Sequence, residues 1–238
     1  MIGRSEFQNH NRLLSVLAPP DYALLEPHLK QIPLETGGVL QNPGDRIQYV
    51  YFPLSGMISL LSVMRDGKAV ETGALGRDGA LGVSYGLGSP STFTRAVVQI
   101  RGRAARISAA QFQTGIRGSE RMRDLFFRYK ESHFLQTQQA VACNALHGAE
   151  ARLSRWLLQT GDIIGGSLVP LTQEHLSQML GVRRTTVTAI ASELQEAGLI
   201  RYTRGRIEIC DRDKLKKFAC ECYDVLRGHS GQMSRPKR

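Results

Sequence analysis

Residues 171–200, LTQEHLSQMLGVRRTTVTAIASELQEAGLI, place two arginines and three threonines, Arg183, Arg184, Thr185, Thr186 and Thr188, on what the apolar spacing makes the first turns of a helix. These side chains suit the recognition of phosphates and base edges. Arginine donates bidentately to guanine O6 and N7, while threonine hydrogen-bonds a phosphate or touches a thymine methyl. Just beyond, residues 201–206 hold three arginines and no acid, in a run, IRYTRGRIEIC, that reads as a small hairpin.

Two helices must position these groups. Thr172 is a good N-cap for the first, whose Leu176 and Leu180 point inward, and Gly181 supplies the turn. Val182, Val187, Ile190 and Leu194 then form the buried face of the second, over about residues 182–195. Arg183, Arg184, Thr185, Thr188 and Ala189 are left at or near the outer face, and Thr186 faces phosphate. A helix start so furnished suits a DNA major groove. The candidate DNA contacts are therefore Thr172, Gln173, Arg183, Arg184, Thr185, Thr186 and Thr188, with Arg204 and Arg206 from the hairpin.

Other residue groups carry weaker signals. The loop Gly76, Arg77, Asp78, Gly79, with Thr94 and Arg95, is the candidate small-molecule pocket, although a glycine-rich turn is also an ordinary tight bend. Cysteine appears at 143, 210, 220 and 222, and no C-x-x-C spacing occurs. Cys220-x-Cys222 has the residue types for metal binding or redox chemistry, but on a terminal helix it reads as packing or exposed thiols; neither a metal site nor a disulfide framework is expected. His133 and His147 likewise read as structural.

The 238 residues, 42% hydrophobic and 22% charged, are enough for two modest cores, and a formal charge of +10 favours a polyanionic partner. That charge is spread out: residues 1–118 carry 12 Lys/Arg against 8 Asp/Glu, and residues 147–238 carry 15 against 10. No apolar run reaches the roughly 20 residues of a membrane span, and MIGRSEFQNHNRLL lacks the apolar core of a signal peptide, so a cytoplasmic location and no membrane partner are expected.

Along the chain, residues 11–30 read as two short helices broken at Pro19-Pro20. Residues 31–107 are short β-rich runs, with Asp66-Gly67 as a hairpin turn and RAVVQIRGRAARIS as a late strand. Strands without intervening helices predict an antiparallel sandwich or jelly-roll barrel in an α+β chain. Residues 119–145 form one long helix with Met122, Phe126, Tyr129, Phe134 and Val141 on a stripe, read as the interface of a homodimer. The divisions expected are 1–118 for the roll, 119–146 for the dimerisation helix, 147–228 for the DNA-binding domain, and 229–238 for a disordered tail.

The segment LTQEHLSQMLGVRRTTVTAIASELQEAGLIRYTRGRIEI, with its L-x-x-x-G-L-I exit into the hairpin, resembles the winged helix-turn-helix of the Crp/Fnr transcription regulators. The order of β-roll, long helix and head, with GRDGALG and RAVVQIRGRAARIS in the roll, resembles the same family. The resemblance implies a double-stranded β-helix of the cyclic-nucleotide-binding type, a homodimer paired through its long helices, and a roll whose effector repositions two DNA-reading heads. Double-stranded DNA and RNA polymerase are its implied partners. Of the family's G-x-x-R-E-T-V-x-R pattern, Arg184 matches the first arginine, but Thr185 and Ala189 replace the glutamate and second arginine, so the operator preference differs.

The cyclic-nucleotide branch uses a glutamate in the glycine loop and an Arg-Ser/Thr-Ala; this chain has neither, only Arg95-Ala96, so cyclic AMP is disfavoured and no cofactor is expected. The oxygen-sensing branch uses an N-terminal cysteine cluster, absent before Cys143. A barrel enzyme of the cupin type needs histidine ligands, and none lies between His28 and His133. A roll that only braces the dimer remains the alternative to a sensor.

Overall fold

A computed structural model of the protein describes residues 5–232. Three short helices lead: α1 (Glu6–His10), α2 (Arg12–Ser15) and α3 (Pro19–Ala23). Pro19 and Pro20 open α3, where a missing N–H costs nothing. Buried Asn11 fastens these helices to the roll. Its Oδ1 accepts from the Leu14 N–H to cap α2, and its Nδ2 donates to the carbonyls of Pro53 and Gly79, each at 3.0 Å.

The roll is antiparallel, as the strand pattern predicts. β1 (Lys30–Leu34), β2 (Val39–Gln41), β3 (Tyr49–Val63), β4 (Ala69–Leu75) and β5 (Arg95–Ser108) pair in the order β1-β5-β3-β4, with β2 on the other end of β5. β3 and β5 run together from Tyr49↔Ser108 to Leu61↔Arg95, with register shifts between Pro53 and Ile58. There Gly56 takes φ +79°, and a Cβ on it would lie 2.5 Å from the Ile100 carbonyl oxygen, so the bend that curls the sheet depends on glycine. The expected hairpin turn joins β3 to β4, with Gly67 at φ +84° and the Asp66 carboxylate accepting from the Lys68 N–H.

α4 (Ala109–Arg117) leads to α5 (Glu120–Leu146), capped by Ser119, whose hydroxyl accepts from the Met122 N–H at 3.1 Å. The first half of α5 seals the roll. Phe52, Phe112 and Phe126 meet with ring centroids 5.0 to 6.1 Å apart, and the Tyr129 hydroxyl both donates to the Ala80 carbonyl and accepts from its N–H. The expected dimer stripe is corrected here: Met122, Phe126 and Tyr129 are buried in their own subunit. An i, i+4, i+7 stripe marks one buried face without specifying which surface buries it, and here the roll does.

The C-terminal unit comprises α6 (Ala149–Ile164), β6 (Leu168–Val169), α7 (Gln173–Leu180), α8 (Arg184–Glu196), β7 (Ile200–Thr203), β8 (Arg206–Ile209), α9 (Arg212–Phe218) and α10 (Cys222–Gln232). Leu153, Trp156 and Leu157 of α6 are buried, and Gly165 ends that helix at φ +70°. The tail expected to be disordered from 229 is corrected in part, because α10 continues to Gln232; its Cys222, Tyr223 and Leu226 are buried and hold it to the domain. Residues 233–238 lie outside the described residues.

The two units share a packed boundary. Met57, Leu61 and Ile100 of the roll join the core of the C-terminal unit. Half-buried Glu71 on β4 accepts from Trp156 Nε1 at 2.8 Å and from Ser59 Oγ at 2.6 Å. Removal from water raises its carboxyl above the usual value; the Ser59 and Trp156 hydrogen bonds only partly oppose this.

Candidate functional site

Thr172 caps α7 through its hydroxyl, which accepts from the His175 N–H at 3.3 Å, and Gly181 ends the helix at φ +63°. Leu176 and Leu180 are buried beneath, with Val187, Ile190 and Leu194 of α8 opposite them. This turns Arg183, Arg184, Thr185, Thr188 and Ala189 outward, and Thr186 is half-buried. No side chain caps α8, since its N-cap is Arg183. Its positive end and first N–H groups therefore stand on the same face as the arginines.

Tertiary contacts fix the remaining parts. The Thr188 hydroxyl donates to Gln173 Oε1 at 2.8 Å, tying the starts of α7 and α8 together. Gln195 Oε1 accepts from the Tyr202 N–H at 2.8 Å, so the hairpin of β7 and β8 is anchored directly to α8. Arg201 faces Glu208 across that hairpin and pairs with it at 2.9 Å, which neutralises it. Arg183, Arg184, Arg204 and Arg206 are exposed and engage no acid among the described residues. Four uncompensated guanidiniums beside an open helix start can hold a phosphate backbone and leave one or two side chains to read base edges.

A second feature lies between the roll and α5. A cavity of about 590 Å³ is lined by apolar side chains such as Leu60 and Leu81, hydroxyls of Thr72, Ser84 and Thr92, and Lys130, His133 and Phe134 of α5. The Lys130 ammonium donates to Ser84 Oγ at 2.9 Å. His133 stacks on Tyr129, and burial, seconded by the Lys130 charge, holds its imidazole neutral with a pKa of about 4. No arginine lines this cavity among the described residues.

The pocket residues expected from sequence are mostly elsewhere. Of Gly76, Arg77, Asp78, Gly79, Thr94 and Arg95, only Thr94 lines the cavity. Arg77 Nε donates to the His10 carbonyl, and its own carbonyl accepts from the Arg12 N–H, so this residue fastens the N-terminal helices. Gly76 lies against Ile163 of α6, where a Cβ would approach Cγ2 to 2.4 Å, and Gly79 lies under the Tyr129 hydroxyl. Asp78 is half-buried near that hydroxyl, and Arg95 Nε donates to Asn42 Oδ1 on the outer surface. The physical reason is local: β4 ends at Leu75, and the glycine turn after it leads the chain away from the cavity towards the helices.

On the outer face of α5 sequence reasoning named Phe134 and Val141 but missed Phe127. Phe127, Phe134 and Val141 recur every seven residues and are 56%, 57% and 63% exposed. The seven-residue interval was the available signal for Phe127; the neighbouring aromatics Phe126 and Tyr129, set on the stripe instead, obscured it.

Residues 151–218 match the family model of the Crp-like helix-turn-helix domain. Solved structures match most of the chain. FixK2 from Bradyrhizobium japonicum is 14% identical with a TM-score of 0.70, covering 81% of this chain and 98% of its own. A putative transcriptional regulator of the Crp/Fnr family from Eubacterium rectale is 18% identical with a TM-score of 0.70, covering 88% and 98%. The c-di-GMP responsive global regulator CLP of Xanthomonas campestris is 16% identical with a TM-score of 0.66, covering 82% and 100%. No curated protein sequence matches the chain. Residues 151–218 are thus a Crp-like helix-turn-helix domain, carried by a chain that has the fold of the Crp/Fnr transcription regulators.

Proposed function

We propose that the protein acts as a homodimer binding double-stranded DNA sequence-specifically, with α8 in the major groove and the β7–β8 hairpin on the flanking backbone. The observation that carries this reading is the set of exposed arginines, Arg183, Arg184, Arg204 and Arg206, that engage no acid among the described residues and surround the uncapped start of α8. Arg184 is assigned to a base edge, and Arg204 and Arg206 to phosphates. Selection of bound sequences from random duplex DNA tests it: the expected product is a two-fold symmetric site with half-sites about one helical turn apart. Equal retention of all sequences would overturn it.

The dimer seam in this reading is the outer face of α5, through Phe127, Phe134 and Val141. Phe127 and Phe134 also line the cavity, so a ligand there would touch the seam directly. This supports a sensing roll over a purely structural one. With apolar and hydroxyl walls, Lys130 offset by Glu131, and no arginine among the described residues, the cavity suits a small, largely uncharged ligand better than a cyclic nucleotide, whose buried phosphate calls for charge-assisted partners.

A further inference from the structure

Four side chains far apart in sequence meet where α5, α6, α9 and α10 come together. Cys143 lies one helical turn before His147, the residue that ends α5, and Cys220 and Cys222 flank the junction of α9 and α10. One ligand atom from each, three sulfurs and an imidazole nitrogen, lies within 4.8 Å of every other. Cys143 Sγ and Cys220 Sγ are 3.5 Å apart, and Cys222 Sγ is 3.6 Å from His147 Nδ1. Around a tetrahedral zinc ion, with Zn–S of about 2.3 Å and Zn–N of about 2.0–2.1 Å, ligand atoms sit about 3.6–3.8 Å apart. The cluster is therefore close to coordination geometry, and too tight for a polynuclear iron–sulfur cluster, which would hold its ligands farther apart.

We propose that Cys143, His147, Cys220 and Cys222 form a closed Cys3His site for one zinc ion, which clamps α10 and the DNA-binding unit to the end of the long helix. Binding releases the three thiol protons to solvent and uses the Nδ1 lone pair of a neutral imidazole. The surroundings match those of a metal-bound histidine and thiolate. His147 Nε2 lies 3.2 Å from Glu221 Oε1, the carboxylate contact that orients an imidazole whose other nitrogen binds metal. Gln139 Nε2 donates to Cys222 Sγ at 3.0 Å, as to a thiolate. Three thiolates and Zn²⁺ leave one net negative charge, and Arg155 beside them is buried, with its Nε lacking a hydrogen-bond partner among the described residues. Its charge acts on Cys143 and Cys220 as well as on Glu71 at the roll boundary. Softness favours zinc over magnesium or calcium at sulfur ligands. Cys210, exposed and outside the cluster, serves as an internal control.

The full-length chain, reduced and stripped by chelator, is titrated with Zn²⁺ and separately with Co²⁺. Expected are about one equivalent bound, and for cobalt the strong visible absorption of a tetrahedral centre with a thiolate-to-metal charge-transfer band. With metal bound, a thiol reagent should modify Cys210 quickly and the other three only after chelation. Cys143→Ser and Cys222→Ser should lose the charge-transfer spectrum, and Glu221→Gln should weaken binding about 10–100-fold while the spectrum persists. Because uptake, spectrum and thiol protection are read on the unaltered protein, misfolding of a variant does not decide the outcome. Uptake below about one-tenth of an equivalent, an octahedral cobalt spectrum, or all four thiols reacting alike with metal present would overturn the site. So would a Cys143–Cys220 disulfide in freshly prepared protein that, once reduced, takes up no metal.

Discussion

Phe126 and Phe134 lie eight residues apart on α5 and should fail in different ways when altered. Phe126 is 0% exposed and packs edge-on against Phe112 at 5.0 Å, with Phe52 at 6.1 Å; Phe134 is 57% exposed. Truncating a fully buried phenylalanine costs about 3–5 kcal/mol, since the transfer energy is lost and a cavity remains. For a chain of this length, roughly 2–4 °C per kcal/mol places the Phe126→Ala melting transition about 6–20 °C below that of the unaltered protein. Phe134→Asp removes an exposed ring and should change the stability of the dissociated subunit by less than about 0.5 kcal/mol. In the proposed dimer it puts a charge into the apolar seam, so the dimer should dissociate. The assay pairs calorimetry with sedimentation velocity across a dilution series, because dissociation itself lowers the melting temperature by mass action. The reasoning fails if Phe126→Ala produces stable monomers with an unshifted transition. It fails equally if Phe134→Asp is as destabilised as Phe126→Ala at dilutions where both are monomeric.

Arg184→Ala should cost about 1–3 kcal/mol of specific DNA affinity and relax preference at one position per half-site, whereas Arg206→Ala should weaken all sequences alike and lower the salt slope by about one, as filter binding at several ionic strengths would show. Calorimetric titration with cyclic AMP should give no saturable binding below about 50 μM, and Arg95→Ala should change nothing, since Arg95 is occupied with Asn42 outside the cavity. Glu71 has a folded-state pKa raised above its usual 4.5, so its stabilising contribution is complete below that value and is lost as pH rises through the folded one. Glu71→Gln should therefore flatten the pH dependence of melting above pH 4.5, and superimposable profiles for the two proteins would contradict the assignment. Gly56→Ala should destabilise the roll by at least about 1–3 kcal/mol, measurable by urea unfolding, because the left-handed backbone there admits no Cβ.

Much of the architecture follows from local rules that need no partner in space. The Thr172 cap, the Gly181 turn and the apolar spacing of Leu176, Leu180, Val187, Ile190 and Leu194 dictate two helices and, by exclusion, the outward face that carries Arg183 and Arg184. Asp66-Gly67 dictates a hairpin, and the short β-rich runs from 31 to 107 a sheet, because turn chemistry and strand propensity act over a few residues. What tertiary structure alone decided are the meetings of distant segments. Periodicity showed that Phe126 is buried, but not that Phe52 and Phe112 of its own subunit bury it; the glycine loop at 76–79 looked like a pocket until the path of β4 carried it away. Arg201 and Arg206 look alike in sequence, and only the register of β7 with β8 sets the first opposite Glu208 and the second opposite Thr203. Cys143 and His147 show a helical interval and Cys220-x-Cys222 shows none, yet the docking of α10 on α5 brings their ligand atoms within 4.8 Å. A ligand set assembled from two junctions 77 residues apart has no spacing signature, because its geometry belongs to the packing of helices and not to the chain between them.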